Sequence, residues 1–182
     1  SYAAKRQTML LRAKKEGIQS ADVHYERKLL FHGTNAAVIP KICQQGFNRS
    51  FCGKVRMAAG RGGWQSLTQR ALRRAQNATY YGKGVYFGRD ASYSVNPLYS
   101  RPDEAGVQRM FACHVLVGEF HLGRLDQRVP DVRVMATNTL YDSTYGIDTF
   151  NRDCVQSAED PAIFVTYHDA QAYPAYVVEF ND

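Results

Sequence analysis

The sequence predicts an α+β domain built on a largely antiparallel sheet, and three observations carry that expectation. Short runs rich in Val, Ile, Phe and Tyr outnumber the segments with helical periodicity. No strand–helix–strand rhythm recurs, as a parallel α/β sheet would require. The 182 residues suffice for one domain with a real core, and twelve tyrosines and nine phenylalanines supply its bulk.

Taken in order, residues 2–16 read as an amphipathic helix with Ala3, Met9, Leu10 and Ala13 on one face and Gly17 as its stop. The chain opens almost inside that helix, so a domain incomplete at its N-terminus is expected over 1–182. Leu29–Phe31 is a short buried strand ending at His32. Thr34 or Asn35 caps a helix to Gln45, with Ala37, Ile39, Ile42 and Cys43 turned to the core, Pro40 in its first turns and Gly46 ending it. A polar loop runs from Phe47. The turn Gly82-Lys83-Gly84 feeds the strand 85–88, and Asp90 caps a short helix to Tyr93 or Ser94. Arg109 to Phe120 is a long apolar strand, with His114 a core histidine. A short strand lies near Leu140, a polar connection covers Ser143 to Asp160, and strands at 162–167 and 176–180 flank a turn at Tyr173-Pro174. Tyr173 and Tyr176 read as packing residues, and His168 and Asp169 as turn residues.

The net charge is +6, but residues 55–76 hold Arg56, Arg61, Arg70, Arg73 and Arg74 and no acid, so basicity belongs to one segment. No apolar run approaches membrane-spanning length, and no secretory signal opens the chain. Cys43, Cys52, Cys113 and Cys154 show no metal-ligand spacing, so no metal is expected, and reduced thiols in an intracellular, cytoplasmic or nuclear protein are. Gly82-x-Gly84-x-x-x-Gly88 precedes a strand rather than opening a helix, so it is not a dinucleotide fingerprint. No nucleophile elbow is present. What stands out is a triple: His32 after one strand, Tyr86 within another and Ile163 at the start of a third.

Six ordered blocks then carry a resemblance: Phe31-His32-Gly33-Thr34, Gly46-Phe47-Asn48-Arg49-Ser50, Tyr81-Gly82-Lys83-Gly84-Val85-Tyr86-Phe87, Ala91-Ser92-Tyr93-Ser94, Tyr141-Asp142-Ser143 and Gln171-Ala172-Tyr173-Pro174. Together they resemble the catalytic domain of PARP-type ADP-ribosyltransferases, of the mono-ADP-ribosylating, macrodomain-associated branch. The resemblance implies a split antiparallel β-sandwich with flanking short helices and NAD⁺ as co-substrate in the cleft. It implies that Gly33 binds the nicotinamide amide by its backbone, with the Ser94 hydroxyl on the same amide. His32 and Thr34 would serve the adenosine-side ribose, Tyr86 would line the nicotinamide side, and Tyr99 would stack on the ring with Tyr93 beside it. Asn48–Tyr80 would be the donor loop. Polymer-forming members have glutamate where this chain has Ile163, and an isoleucine accepts no hydrogen bond from a ribose hydroxyl.

The implied activity is transfer of one ADP-ribose to protein side chains with release of nicotinamide. Nicotinamide leaves as a neutral molecule, so the site must chiefly hold the ring, exclude water and tolerate a cationic sugar. The segment 55–76 interrupts the donor loop, because joining Lys54 to Asn77 restores an uninterrupted family pattern. It reads either as an exposed loop insertion or, from the codons its ends allow, as a translated intron. Two other functions stay open: an inactive NAD⁺-binding or scaffold module whose cleft the insert obstructs, and a nucleic-acid contact or modification that engages the arginines.

Overall fold

The computed structural model describes residues 1–19, 21–51, 79–149, 151 and 153–181; the expected insert at 55–76 lies outside the described residues. Helix α1 (Tyr2–Lys15) starts at Ser1, whose hydroxyl accepts from the Ala4 N–H, and gives way to Gly17 at φ +74°. Its inner face is Met9 and Ala13, with Tyr2 and Leu10 alongside, packed on Ala21, Tyr25 and Leu116. Ala3 is exposed, not inward as expected, because Tyr2 holds the position in line with Met9 at helical spacing. A short helix α2 (Ala21–His24) leads into strand β1 (Glu26–Thr34).

In β1 the register slips between Arg27 and Leu30, and Leu29 sits in the slip at φ +61° and 48% exposed, so Leu30 alone of the pair reaches the core. Asn35 then caps a 3₁₀ turn over Ala36–Val38, and helix α3 (Ile39–Gln45) takes Pro40 in its first turn, where a missing N–H costs nothing. The turn changes the phase of the inward face: Ile42 is buried, and Ala37 and Cys43 point outward, against expectation. Phe47, expected in a polar loop, belongs to the core.

The remaining elements are β2 (Val85–Gly88), helix α4 (Ala91–Val95), β3 (Gln108–Leu116), β4 (Phe120–Leu122), β5 (Val132–Val134), β6 (Thr139–Leu140), β7 (Ser143–Gly146), β8 (Ile163–Thr166) and β9 (Ala172–Phe180). Seven strands form one sheet in the order β4-β7-β8-β2-β1-β3-β9, all antiparallel except β4 with β7, and β5 and β6 make a separate ribbon. The chain is therefore α+β. The sheet narrows sharply at its middle: β1 and β2 meet only at Phe31 opposite Gly88, whereas β2 pairs with β8 from Val85–Thr166 through Gly88–Ile163. One half is β4-β7-β8-β2 and the other β1-β3-β9.

Alternation along the strands sorts the core. Phe111, Cys113 and Val115 of β3 join Leu30, Phe47, Phe87 and Phe164, while Leu116 turns to α1. On β8, Phe164 enters that main core, and Ile163 and Val165 enter a second cluster with Tyr167, Tyr81, Tyr86, Tyr93 and Cys154.

Three further expectations are corrected. β7 lies inside the stretch read as polar connection, and its Ser143 and Thr144 are fully buried. Their hydroxyls donate to the Val117 and Tyr81 carbonyls at 2.6 and 2.7 Å, so hydrophobic pattern could not reveal the strand. Tyr173-Pro174 belongs to β9, an edge strand whose register shifts at that point, so proline interrupts no ladder bond. Tyr173 and Tyr176 are exposed there, and His114 is only partly buried beside Tyr173 and Glu26.

A buried polar hub binds the halves. Gln171 is 1% exposed; its Nε2 donates to the Leu116 and Asp142 carbonyls at 3.0 and 2.9 Å, and its Oε1 accepts from the N–H groups of Tyr167 and His168. Asp142 in turn accepts from Glu119 N–H and pairs with Arg12 of α1. Removing the amide strands buried donors and acceptors, so Gln171→Leu is expected to lower stability by about 3 kcal/mol. Urea unfolding of the variant beside the parent chain measures it, and a loss under about 1 kcal/mol contradicts the hub's importance.

Candidate functional site

The Gly82-Lys83-Gly84 turn is shaped by the strand it faces. A Cβ at Gly82 would lie 1.7 Å from the Tyr167 hydroxyl, and one at Gly84 would lie 2.2 Å from the Thr166 carbonyl oxygen. Gly82 also sits at φ +126°. Lys83 is 3.2 Å from Asp126, so its charge is engaged at the turn itself. The turn delivers Tyr86 onto β2 opposite Val165. The Tyr86 hydroxyl donates to the Gly82 carbonyl at 2.9 Å and accepts from the Tyr81 N–H at 3.1 Å, which locks the ring against the Ile163 cluster.

His32 follows the single residue pair that joins the half-sheets. Its Nδ1 lies 2.8 Å from the Tyr86 carbonyl oxygen, an acceptor, so Nδ1 carries the proton and the neutral ring leaves Nε2 as an acceptor. Phe47 packs edge-on to the imidazole at 5.0 Å between centroids, with Phe87 at 5.5 Å. Burial lowers the His32 pKa, against the smaller opposing effect of the Tyr86 carbonyl.

Gly33 is pressed by the segment after α4. A Cβ there would stand 2.7 Å from Tyr99 Cβ and 2.8 Å from both Ser100 Oγ and the Ser94 carbonyl oxygen. Ser94 is buried, and so is Thr34 at the end of β1. Tyr93 and Tyr99 stack on one another at 4.9 Å and 29°, too close for a third ring between them, so a flat ligand has only an outer face to use. Burial first, then their mutual contact, pushes the Tyr93 phenol far up, and burial raises Tyr99 as well, so both stay neutral. Ile163, at the start of β8, is 3% exposed beside Tyr86 and Tyr93.

His32, Gly33, Tyr86, Ser94, Tyr93, Tyr99 and Ile163 thus come together around the narrow middle of the sheet, with Thr34 behind them. Sequence reasoning missed the residues that hold them. Gln108 donates to the Val95 and Ser100 carbonyls at 2.9 and 2.7 Å and ties the Tyr93–Ser100 segment to β3, yet it sits in a polar run that reads as surface. Ser100 is fully buried beside Gly33, and its hydroxyl has no partner among the described residues. Asp90 occupies the cap position of α4, but its carboxylate binds Arg89 rather than the helix N–H groups. Among the described residues no cluster of His, Cys, Asp or Glu could hold a metal, and no helix is long and apolar enough to cross a membrane.

A family model for the poly(ADP-ribose) polymerase catalytic domain matches residues 7–182. The chain is 34% identical to mouse protein mono-ADP-ribosyltransferase PARP10 over 88% of its length, 34% identical to human PARP14 over 100%, and 36% identical to human PARP12 over 86%. It spans only 13%, 8% and 17% of those proteins, respectively.

Because His32 is held neutral, the unfolded chain takes up protons first as pH falls through 6.5, the ordinary imidazole value, and stability drops with it. His121, also lowered by burial, acts in the same sense. His32→Gln is expected to flatten the fall in unfolding free energy below that pH, a slope read by urea titrations across the range. An unchanged slope contradicts a neutral His32.

Proposed function

Since this chain belongs to the family of poly(ADP-ribose) polymerase catalytic domains, we propose that it transfers a single ADP-ribose from NAD⁺ to protein side chains. The gathering of His32, Gly33, Ser94 and Tyr99 at the gap between the half-sheets carries this reading. The unpartnered Ser100 hydroxyl beside Gly33 and the outer face of the Tyr99 ring suit a planar amide-bearing ring. Gly33 offers its backbone to the nicotinamide amide and Ser94 its hydroxyl. The acceptor nitrogen of His32 takes a hydroxyl of the adenosine-side ribose, with Thr34 supporting that end. Tyr86 walls the nicotinamide side, and Tyr93 backs Tyr99.

In the reaction the bond between ribose C1′ and the nicotinamide nitrogen breaks, and its electron pair leaves with neutral nicotinamide. A lone pair on the acceptor side chain forms the new bond at C1′, and the acceptor's proton passes to water. No general acid is needed at the leaving group. The residues' work is to hold and to exclude water. Elongation would require a polar partner for a ribose hydroxyl at this position, and the Ile163 side chain offers none. The free thiols of Cys43, Cys113 and Cys154 suit an intracellular compartment, cytoplasmic or nuclear. A second reading, contact with RNA through 55–76, rests on that segment's five arginines and absence of acids.

Incubation with labelled NAD⁺, read by intact mass and nicotinamide release, tests the proposal. The expected product carries one ADP-ribose per modified site. His32→Ala is expected to lose at least about fivefold in rate, from one polar contact of roughly 1–3 kcal/mol. Gly33→Ala is expected to abolish NAD⁺-induced thermal stabilisation. Polymer would overturn the role given to Ile163. Stabilisation by NAD⁺ without nicotinamide release, reversed on deleting 55–76, would identify a module closed by its insert.

A further inference from the structure

The segment between β7 and β8 borders the Ile163 side of the site, opposite the His32 end: Cys154 packs against the cluster of Ile163, Tyr86 and Tyr93. One side chain gathers it. Arg89, the residue after β2, donates through Nη1 to the Asp160 carbonyl at 3.0 Å and to the Asp160 carboxylate at 2.7 Å. Its Nη2 donates to the Val155 carbonyl at 2.9 Å and to the Asp90 carboxylate at 2.7 Å, and Nε reaches Asp90 again at 3.1 Å. Cys154 Sγ lies 3.5 Å from Nη2. The Arg89 N–H is bound to the Ala162 carbonyl at 2.8 Å, the peptide just before Ile163.

The guanidinium therefore links the end of the Tyr86 strand, the cap of the helix bearing Tyr93 and Ser94, and residues 154–160. Within the segment, other bonds keep what Arg89 gathers in one shape. Gln156 pairs with both the N–H and the carbonyl of Asp148 at 2.9 Å each, and Ser157 accepts from the Glu159 and Asp160 N–H groups. Arg27 approaches Asp160 from the other side at 3.9 Å. A planar fork with five donors fits such a spread of acceptors, and a lysine ammonium does not.

We propose that Arg89 is the positioning residue for the acceptor: it fixes the wall formed by 154–160, against which the incoming protein side chain is aligned with the reacting sugar carbon. The inference rests on the transferase reading above. It separates two properties of the site. None of the guanidinium's bonds goes to His32, Gly33, Ser94 or Tyr99, the residues given to NAD⁺, and its reach to the helix that bears Ser94 stops at the cap residue Asp90; the acceptor's approach is set by the wall. Loosening the wall leaves donor cleavage running and lets water intercept the sugar.

The test compares the parent chain with Arg89→Ala and Arg89→Lys on labelled NAD⁺, counting ADP-ribose added to the chain itself against nicotinamide released. The ratio of transfer to hydrolysis is expected to fall at least about fivefold in both variants, with NAD⁺ affinity within about twofold of the parent. An unchanged ratio, or a parallel loss of NAD⁺ affinity, overturns the proposal. Arg89→Lys keeps the charge beside Asp160, so the test survives if Arg89→Ala does not fold. If the parent releases no nicotinamide, the transferase reading fails separately, and amide hydrogen exchange judges the wall. Faster exchange over 154–160 by about tenfold in Arg89→Lys is expected, and unchanged exchange overturns it.

Discussion

Everything near the site depends on how little joins β1 to β2. A sheet of seven strands is ordinarily continuous in its hydrogen bonding, yet here the central seam is one residue pair, Phe31 with Gly88. Just past it, the His32 imidazole bonds to the Tyr86 carbonyl, so a side chain replaces the next rung of the ladder. Beyond that rung β1 continues to pair with β3 through His32, Gly33 and Thr34 but has no strand partner on its β2 side among the described residues. Backbone that would have been spent on a sheet is left unpaired there, and the half-buried His32 ties the two edges together beside it. The cost is a neutral histidine walled by Phe47 and Phe87, which the pH dependence of stability reports.

A weak seam needs strong ties elsewhere, and they are polar. Gln171 joins the carbonyls of Leu116 and Asp142, which belong to opposite halves of the sheet, and Ser143 reaches the Val117 carbonyl. Gly118 lies at φ +57° and leaves no room for a side chain, because a Cβ would come within 2.3 Å of the Asp142 carboxylate. Arg12 brings helix α1 to the same carboxylate. The Gln171 amide and the Ser143 hydroxyl are buried with their partners in place, so they specify geometry while apolar packing supplies most of the stability. The halves are thus fastened far from the gap, and the gap remains open.

This division explains what could be read from the sequence. Apolar strands with β-branched and aromatic residues were legible where period and composition agreed, as at 162–167 and the first part of 109–120; the latter, read as one strand, ends at Leu116, and Phe120 opens β4 in the other half. The site's residues were legible only through a resemblance of short motifs, since His32 and Gly33 look like any strand end. Two of those motifs, Tyr141-Asp142-Ser143 and Gln171-Ala172-Tyr173-Pro174, prove to build the polar hub rather than the cleft. β7 was hidden because its buried face is Ser and Thr, which pattern assigns to loops. Leu29 misled because a register slip turns an apolar side chain outward, and Cys43 because a 3₁₀ turn alters helical phase. Arg89 carries no motif at all; apart from its neighbour Asp90, its acceptors lie on Cys154, Val155 and Asp160, distant in sequence, and meet it only in the fold.

The strand order has a further consequence, for how the chain assembles. β8 is an inner strand of one half and β9 an outer strand of the other, and both come from the last twenty residues described. Neither half can complete its ladder until that tail has been synthesised, and β2 must wait for a partner almost eighty positions later in the chain. Contacts of such sequence separation are slow to form and leave apolar strands uncovered meanwhile. During synthesis, therefore, the two walls of the cleft close late and nearly together, and the interval before closure is when the nascent chain most needs shelter from aggregation.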